Sequence, residues 1–374
     1  MPKKKSLEKT SKKENKILQR GIEAFAHGAW DGGLKYFFGA RVENLQAFNH
    51  FLKENLPRAG GKFVQTESEN SAIHMLYGAA AAGAIPLTVV DSPGFAKIQE
   101  GLSYLAAAEL PSIILNIMRA GPGTGNLSPA QGDYFPAVKG GGHGHYHSIV
   151  LAPSSVQDMY DFGKLALYLA QKHCNPVIVL TDIAIAHMME PVLTDKDNYI
   201  NNATELKSCT ITGCLNRPRH HLTTLEMNET NFEVRNYELF DKYRSIQNTF
   251  SKNELIEKSY SSRYTNDCDL LLVSYGILSR IAQTALEKAR KRGYKVGLFS
   301  PNVLWPFPEK PLKNLARKAK HVLVCELSMG QMAEDIRRIV KKPEKVRLYG
   351  RTGGRIPSPF EVLNSIKSIL DLKK

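Results

Sequence analysis

Two acidic residues, Glu67 and Glu69, stand at the start of the first stretch of sequence that could carry chemistry. They follow a short apolar run at residues 63–64 and lead into a small-residue stretch, residues 69–82, whose pattern predicts a helix. In a structural interpretation, such a carboxylate complements the positive end of the helix dipole. In a catalytic interpretation, it faces a crevice as a hydrogen-bond acceptor or base. The pattern leaves both interpretations open.

A glycine-rich stretch, residues 119–153, follows an apolar run at 112–118 that predicts a buried strand. A loop of this length inside a compact domain is usually functional, and glycine lets its backbone approach a ligand closely. The glycine cluster at 121–125 lacks the lysine that a phosphate-binding P-loop needs, and no GxGxxG pattern opens a helix here. We therefore expect a functional site at this loop, but not a free-standing nucleotide site.

The same stretch supplies cationic and imidazole side chains. Arg119, at the carboxyl end of the predicted strand, could bind an anionic ligand through two parallel hydrogen bonds, and a structural ion pair is an equal alternative. His143, His145 and His147 alternate, so they share one face of an extended segment. Three imidazoles can form a zinc site. We favour hydrogen bonding to neighbours or to a ligand, and expect no bound metal.

Composition narrows the class of protein. A chain of 374 residues predicts two domains, and no apolar run is long enough to span a membrane. The net charge is +14, and residues 1–16 contribute seven lysines against two glutamates. We interpret this tail as solvated and disordered rather than as a nucleic-acid-binding segment. The five cysteines include no CxxC pair and no spacing for an iron–sulfur cluster, which fits a cytoplasmic protein. Cys209 and Cys214 are the only near pair, and packing is their default role.

The elements that must position these residues alternate between strand and helix. In the first half we predict strands at residues 34–38, 63–64, 87–90, 112–118, 149–151 and 176–180, and helices at 16–28, 45–56, 69–82, 92–110 and 156–173. Ser92 is predicted to cap its helix, with Pro93 at the first helical position. This alternation, without hairpin signals, predicts a doubly wound α/β domain with a mainly parallel sheet. Ligands bind such sheets beyond the carboxyl ends of the strands, so the loops at 39–44, 65–69, 91–95 and 119–147 should converge on one crevice.

The second half begins with a polar stretch that has no clear hydrophobic period. Residues 191–266 predict a connector that includes an amphipathic helix at 232–255. A second α/β unit follows, with strands at 270–274, 296–299, 321–325 and 346–349 and helices at 279–291, 309–319, 331–341 and 359–371. The predicted domains are a basic tail at 1–16, a first α/β domain at 17–190, the connector at 191–266 and a second α/β domain at 267–374.

Long motifs resemble one family closely. They are QTESENSAIHMLYGAAAAG at 65–83, SPGFAKIQEGLSYLAAAELP at 92–111, MRAGPGTG at 118–125, SPAQGDYFPAVKGGGHGHYHSIVLAPSSVQDM at 128–159, LWPFPEK at 304–310 and ELSMGQMAEDIR at 326–337. The sequence resembles the α subunit of the 2-oxoacid:ferredoxin oxidoreductases, in particular the branched-chain 2-oxoisovalerate type. The resemblance covers nearly all residues from about 17 onward and is weakest across 191–266.

The resemblance implies a thiamine diphosphate pyrimidine-binding domain followed by a transketolase C-terminal-like domain. It implies that Glu69, with Glu67 as the fallback, hydrogen-bonds the aminopyrimidine ring and helps to activate the cofactor. The residues expected at the cofactor are Glu69, Ser92, Pro93, Gly94, Arg119 and Gly123. Those expected to face the substrate are Arg41, Glu43, Arg119 and His143.

The resemblance also implies partners. The sequence has no GDG motif for the diphosphate and magnesium, so a β subunit should supply it, and γ and ferredoxin-like δ subunits should carry the iron–sulfur clusters. The complex would use coenzyme A as cosubstrate and pass electrons to ferredoxin. No nucleic acid and no membrane is expected as a partner. The chain alone should be inactive.

Two positions depart from the family pattern. Where the family has Gly-Tyr-Pro-x-Thr-Pro, residues 39–44 place Glu43 at the threonine that contacts the substrate, and His145 replaces a usual aspartate. A carboxylate facing a 2-oxo acid would repel it by about 4 kcal/mol at roughly 4 Å and an effective dielectric near 20, and Arg41 could offset this. The departures keep two alternatives open: a catalytically degenerate structural or regulatory subunit, and an enzyme of the 2-oxoglutarate type.

Overall fold

The computed structural model describes residues 16–42, 45–194, 210–251 and 254–371. The first half contains β1 Lys16–Arg20, α1 Gly21–Asp31, β2 Tyr36–Gly39, α2 Gln46–Arg58, β3 Lys62–Gln65, α3 Glu69–Ala81, β4 Pro86–Asp91, α4 Ser92–Lys97, α5 Gln99–Ala107, β5 Ser112–Met118, α6 Tyr134–Val138, β6 Ile149–Leu151, α7 Val156–His173, β7 Pro176–Asp182, α8 Ile183–His187 and β8 Met189–Leu193. The second half contains α9 Glu229–Ser251, α10 Glu254–Lys258, β9 Tyr260–Arg263, β10 Leu270–Val273, α11 Ile277–Arg290, β11 Val296–Pro301, β12 Val303–Trp305, α12 Glu309–Lys318, β13 His321–Glu326, α13 Gln331–Ile339, β14 Val346–Gly350 and α14 Pro359–Asp371.

The first sheet has seven strands in the order β12-β6-β7-β5-β4-β2-β3. All neighbours pair in parallel except β12, which runs antiparallel to β6. Every residue of the central strands β5 and β7 is buried, which explains their near-continuous apolar sequences. Helix α1 approaches α7 so closely that a Cβ atom at Gly28 would lie 1.9 Å from the carbonyl oxygen of Tyr160. The predicted doubly wound α/β domain is confirmed.

The second sheet has five strands in the order β14-β13-β10-β11-β9. Its first four strands are parallel, with β10 in the centre, and β9 adds an antiparallel edge. This arrangement confirms the second α/β unit. Strand β12, which follows β11 in the chain, does not join the second sheet. It forms the edge of the first sheet instead, where Val303 pairs with Leu151. Backbone hydrogen bonds of β12 therefore attach the second half of the chain to the first sheet.

Some predicted elements were wrong in detail. The helix predicted at 16–28 begins only at Gly21, because residues 16–20 pair as β1 with β8 in a two-stranded antiparallel sheet. The helix predicted at 92–110 is two helices, with Ile98 between them. Its cap is Asp91, whose Oδ1 accepts the backbone N–H of Gly94 at 2.9 Å, and not Ser92, which already lies in the helix. The short elements β9, β12, α6 and α8 were not predicted.

The amphipathic helix of the connector is confirmed as α9, although it begins at Glu229 and ends at Ser251. Strand β8 overlaps the first three residues of the predicted connector, 191–193, and residues 195–209 within the connector lie outside the described residues. The predicted domain boundaries stay predictions. None of the helices in the described ranges has the length and apolar character needed to cross a lipid bilayer.

Candidate active site

The predicted crevice exists at the carboxyl ends of the first sheet. A cavity of about 370 Å³ is lined by side chains that follow β2, β3, β4, β5 and β7. Its lining residues are Arg41, Val42, Leu45, Glu69, Asp91, Ile117, Arg119, Thr124, Gly125, Asn126, Leu127, Ile183 and His187. All four loops that the sequence analysis selected contribute to it. The lining combines apolar side chains with charged groups that come from the ends of the strands.

Glu69 is the carboxylate that reaches this cavity. It is the first residue of α3, whose N-terminus is capped by Ser68 through the backbone N–H of Ser71. The side chain is only 17% exposed, and its Oε2 lies 3.1 Å from Nζ of Lys97. Gly94 makes room for it, because a Cβ atom there would lie 3.1 Å from Cγ of Glu69. Helix, lysine and glycine together fix the direction of the carboxylate.

Glu67 occupies a different environment. It is exposed, lies outside the lining of the cavity and accepts a hydrogen bond from the hydroxyl of Ser71. This hydrogen bond lowers the pKa of Glu67 below the ordinary value for a glutamate. The geometry therefore separates the two carboxylates that the sequence left as alternatives, since only Glu69 faces the cavity.

Arg119 lies in an ion pair inside the protein. Its Nε donates to Oδ2 of Asp91 at 2.8 Å, and its Nη1 donates to the backbone carbonyl of Thr124. Asp91 thus caps α4 with one oxygen and binds the guanidinium with the other. The structural ion pair that was one alternative for Arg119 is therefore present, and the same side chain also lines the cavity. Arg119 closes the loop that follows β5 onto the end of β4.

Ser92, Pro93 and Gly123 lie on the other side of Arg119. They line a second cavity of about 890 Å³, between the loop after β5 and residues 327–331 that follow β13. The hydroxyl of Ser92 donates to Asp133 at 2.6 Å and accepts the backbone N–H of Arg119 at 3.0 Å. Burial raises the pKa of the Asp133 carboxyl. Gly123 has a φ of 66°, a backbone conformation that favours glycine.

The expected substrate residues are not all brought together. Arg41 is exposed and lines the first cavity, whereas Glu43 and Asn44 lie outside the described residues. His143 is exposed and lines neither cavity. Of the residues predicted to face the substrate, Arg41 and Arg119 therefore line the same cavity, and His143 does not.

The three alternating histidines have different surroundings. The ring of His147 stacks on Trp305 with 4.6 Å between ring centroids, and burial lowers its pKa. His145 is exposed and lies against α9. Within the described ranges, no three His, Cys, Asp or Glu side chains are grouped as metal ligands. Cys214 is an exposed free thiol, and Cys209 lies outside the described residues.

Several site residues were missed from the sequence. Lys97 and Asp91 position Glu69 and Arg119, and Ile183 and His187 line the cavity after β7. Asp91 carried a signal, because an aspartate directly before Ser-Pro-Gly is a strong candidate for a helix cap. Lys97 carried none, since its partner Glu69 belongs to another helix. Ile183 and His187 lie on a single helical turn too short to show a period.

Two models of known families match the chain. The description "Pyruvate flavodoxin/ferredoxin oxidoreductase, thiamine diP-bdg" matches residues 47–254, and "Pyruvate:ferredoxin oxidoreductase core domain II" matches residues 268–362. The chain belongs to this oxidoreductase family. It is a subunit of the 2-oxoacid:ferredoxin oxidoreductase type, with a thiamine diphosphate-binding domain followed by core domain II. The resemblance found in the motifs is confirmed.

Similar proteins carry related names. Ketoisovalerate oxidoreductase subunit VorB of Methanothermobacter thermautotrophicus is 39% identical over 94% of this chain and 97% of its own length. 2-Oxoglutarate synthase subunit KorA of Archaeoglobus fulgidus is 34% identical over 86% of this chain and 91% of its own length. The oxidoreductase subunit is thus similar to proteins named for two different 2-oxo acids, with higher identity to the branched-chain type.

Solved structures agree with the fold. A 2-oxoglutarate:ferredoxin oxidoreductase from Magnetococcus marinus, with 2-oxoglutarate, coenzyme A and succinyl-CoA bound, has a TM-score of 0.82 at 25% identity. The match covers 96% of this chain and 66% of that one. A split-gene transketolase, an inactive β4 tetramer, has a TM-score of 0.57 at 12% identity and shows likeness of fold alone. The transketolase-like architecture expected for the oxidoreductase subunit is confirmed.

Proposed function

We propose that this chain is the α subunit of a complex that oxidatively decarboxylates a branched-chain 2-oxo acid to an acyl-CoA and passes the electrons to ferredoxin. The single observation that supports the catalytic part is the position of Glu69, a fixed carboxylate on the wall of a cavity at the carboxyl ends of a parallel sheet. The higher identity to ketoisovalerate oxidoreductase than to 2-oxoglutarate synthase subunits supports the substrate class. We place the complex in the cytoplasm.

The residues of the cavity fit the pyrimidine end of thiamine diphosphate. Glu69 supplies a hydrogen-bond acceptor, and Leu45, Ile117 and Ile183 supply apolar contacts for a flat ring. When bound, the cofactor stabilises the negative charge that decarboxylation leaves on the substrate carbon. The carboxylate of Glu69 holds and polarises the aminopyrimidine. Its contact with Nζ of Lys97 orients the Glu69 carboxylate before the ring arrives.

The diphosphate end has no equivalent site in the described residues of this cavity. Arg119 is already paired with Asp91, and the sequence lacks a GDG motif for a magnesium-bound diphosphate. We therefore assign the diphosphate and magnesium to a β subunit that closes the cavity. The iron–sulfur clusters belong to γ and ferredoxin-like δ subunits, because the five cysteines of this chain have no cluster spacing. Coenzyme A is the acyl acceptor.

The cavity also supports a branched-chain substrate. Val42, Leu45 and Leu127 contribute apolar lining to it, which suits an isopropyl group. Arg41 lines the same space and makes no ion pair with a described residue, so its guanidinium can receive the substrate carboxylate. A 2-oxoglutarate substrate would need a second cation for its distal carboxylate. Turnover of 2-oxoisovalerate and 2-oxoglutarate by one preparation distinguishes these substrates directly.

The decisive experiment is Glu69→Gln in the assembled complex. We expect turnover to fall by roughly 10²–10⁴-fold, because a positioned acid–base group contributes this much, while folding and assembly are preserved. Glu67→Gln is the matched control, since it changes the neighbouring exposed carboxylate and should leave turnover within about twofold. Acyl-CoA formation with thiamine diphosphate, magnesium, coenzyme A and a viologen acceptor is the measurement. Unchanged turnover in Glu69→Gln would remove the catalytic assignment.

A catalytically degenerate subunit is the second candidate, and the sequence of residues 39–44 favours it. The test replaces residues 40–44 with Tyr-Pro-Ile-Thr-Pro, the pattern of the family. Activity that appears only after this replacement would establish degeneracy. In an active enzyme, Arg41→Ala should instead raise KM steeply, because Glu43 would then repel the substrate carboxylate, and Glu43→Thr should preserve or improve activity.

A further inference from the structure

Helix α9 has apolar side chains on two faces. Leu239, Tyr243, Ile246 and Phe250 are buried against the body of the protein. On the outside, Tyr237 is 66% exposed and Phe240 is 44% exposed. A helix that is apolar well beyond its buried stripe is normally covered by further protein. Exposed aromatic residues next to one another are also typical of protein interfaces.

The exposed aromatic residues belong to a regular seam, which we define as Glu233, Tyr237, Phe240 and Arg244. Their spacing of four, three and four residues is the spacing of the contact positions in a coiled coil. All four line one open groove, which is also lined by His145. The seam therefore has an aromatic centre, an acidic residue at its N-terminal end and a basic residue at its C-terminal end.

We propose that this seam packs against the same seam of a second copy of the chain, with the two α9 helices antiparallel around a twofold axis between residues 237 and 240. In such a pair, Tyr237 faces Phe240 of the second copy. Glu233 then faces Arg244 of the second copy, and the symmetry makes each of these contacts twice. A parallel arrangement would instead place each Glu233 against its own equivalent. The order of charges along the seam is thus complementary to that of a second copy in the antiparallel orientation.

Both charged groups are available for this contact. Glu233 is exposed and forms no ion pair with any residue in the described ranges. In those ranges the only ion pair of Arg244 is with Asp241, at 3.3 Å on the same helix, and both side chains are more than 70% exposed. An exposed pair of this kind contributes little free energy. Arg244 can therefore exchange Asp241 for Glu233 of a second copy at small cost.

The seam is small compared with a standard interface of about 1,600 Å². We therefore expect the isolated full-length chain to dimerise with a dissociation constant in roughly the micromolar range. The inference does not depend on the proposed enzymatic activity, because its measurement is the association state of the chain. Glu69→Gln, which tests the enzymatic proposal, should leave dimerisation unchanged.

Sedimentation velocity over a range of concentrations tests the proposal. Glu233→Arg and Arg244→Glu should each raise the dissociation constant by roughly tenfold or more, because like charges then face each other. The double variant should return it to within about threefold of the wild type. Glu238→Arg is the control, since it makes the same charge change on an exposed residue of α9 outside the seam. Phe240→Ala should abolish the dimer without unfolding α9.

Three outcomes would overturn the proposal. One is a wild-type chain that stays monomeric at every concentration. Another is a double variant whose dissociation constant is as high as those of the single variants, because the pairing of Glu233 with Arg244 of the second copy would then be absent. The third is a Phe240→Ala complex that keeps its association of two α subunits but loses a different subunit, which would assign the seam to that subunit.

Discussion

Asp91 and Arg119 form an ion pair at 2.8 Å that joins the ends of β4 and β5 beside the candidate active site. The side chains are only 25% and 12% exposed, so each charge depends on the other for compensation. Arg119 also holds the backbone carbonyl of Thr124, and Asp91 also caps α4. The pair therefore fixes two of the loops that form the cavity wall.

Arg119→Ala should lower the free energy of unfolding by about 2 kcal/mol, because Asp91 loses its charged partner. The loop at 120–126 should also become a site of rapid proteolysis. Urea unfolding and limited proteolysis are the measurements. Arg41→Ala is the control, since it removes the other arginine of the cavity, which is exposed and unpaired with any described residue. Equal stability of both variants would show that the ion pair contributes nothing.

Gly94→Ala should reduce activity without reducing stability much. The added Cβ atom would lie 3.1 Å from Cγ and 3.2 Å from Oε1 of Glu69, and 3.2 Å from Oδ1 of Asp91, so the Glu69 carboxylate must shift by a few tenths of an ångström. We expect turnover to fall by about tenfold or more. Gly78→Ala is the matched control on α3, because a Cβ atom there meets no atom within 4 Å. That variant should gain about 0.5–1 kcal/mol from helix propensity and keep its activity.

Gln131→Ala should weaken the contact between the two α/β domains. The fully buried Gln131 donates to the carbonyl of Tyr275 at 2.9 Å and accepts the N–H of Leu327 at 2.8 Å. Both backbone groups would lose their partners in the variant, at a cost of about 2–4 kcal/mol. Calorimetry should show a lower Tm and a broadened or divided transition. Asn126→Ala, which removes exposed hydrogen bonds to the carbonyl of Gly353 and the N–H of Ser128, should change Tm far less.

Asp182 should make stability depend on pH. This fully buried carboxyl accepts the N–H of Ile277 at 2.9 Å, and burial raises its pKa from 3.8 to about 6. Between these values the folded protein binds a proton that the unfolded chain has released. Stability from this group therefore falls as the pH rises from about 4 to about 6 and is constant above that, with a total change of at most about 3 kcal/mol.

The measurement is the difference in unfolding free energy between the wild type and Asp182→Asn at several pH values. Other titrating groups cancel in this difference, because asparagine removes only the ionisation at residue 182. The difference should decline between pH 4 and 6. A difference that stays flat, or that rises with pH, would show that the carboxyl is ionised throughout and stabilised by its backbone hydrogen bonds.

The sequence was sufficient to predict the order of strands and helices, because the apolar runs determine it. It was also sufficient to predict the crevice, because the positions of the loops determine where the strands end. The sequence did not predict the features that depend on contacts between residues far apart in the chain. Residues 16–20 have a pattern that suits a helix, and only their pairing with β8 makes them a strand. The role of Lys97 likewise depends on Glu69 in another helix. The local pattern alone could not separate Glu67 from Glu69, although the family resemblance favoured Glu69, since the direction of each side chain follows from the capping of α3.

Strand β12 supplies the last strand of the first sheet from the second half of the chain. During synthesis, the edge of β6 therefore stays unpaired until residues 303–305 have left the ribosome. A fragment that ends near residue 266 would keep that edge open and could add a strand from another molecule, which is a route to aggregation. Any separation of the two halves of the chain would therefore make β6 the exposed edge strand of the first sheet.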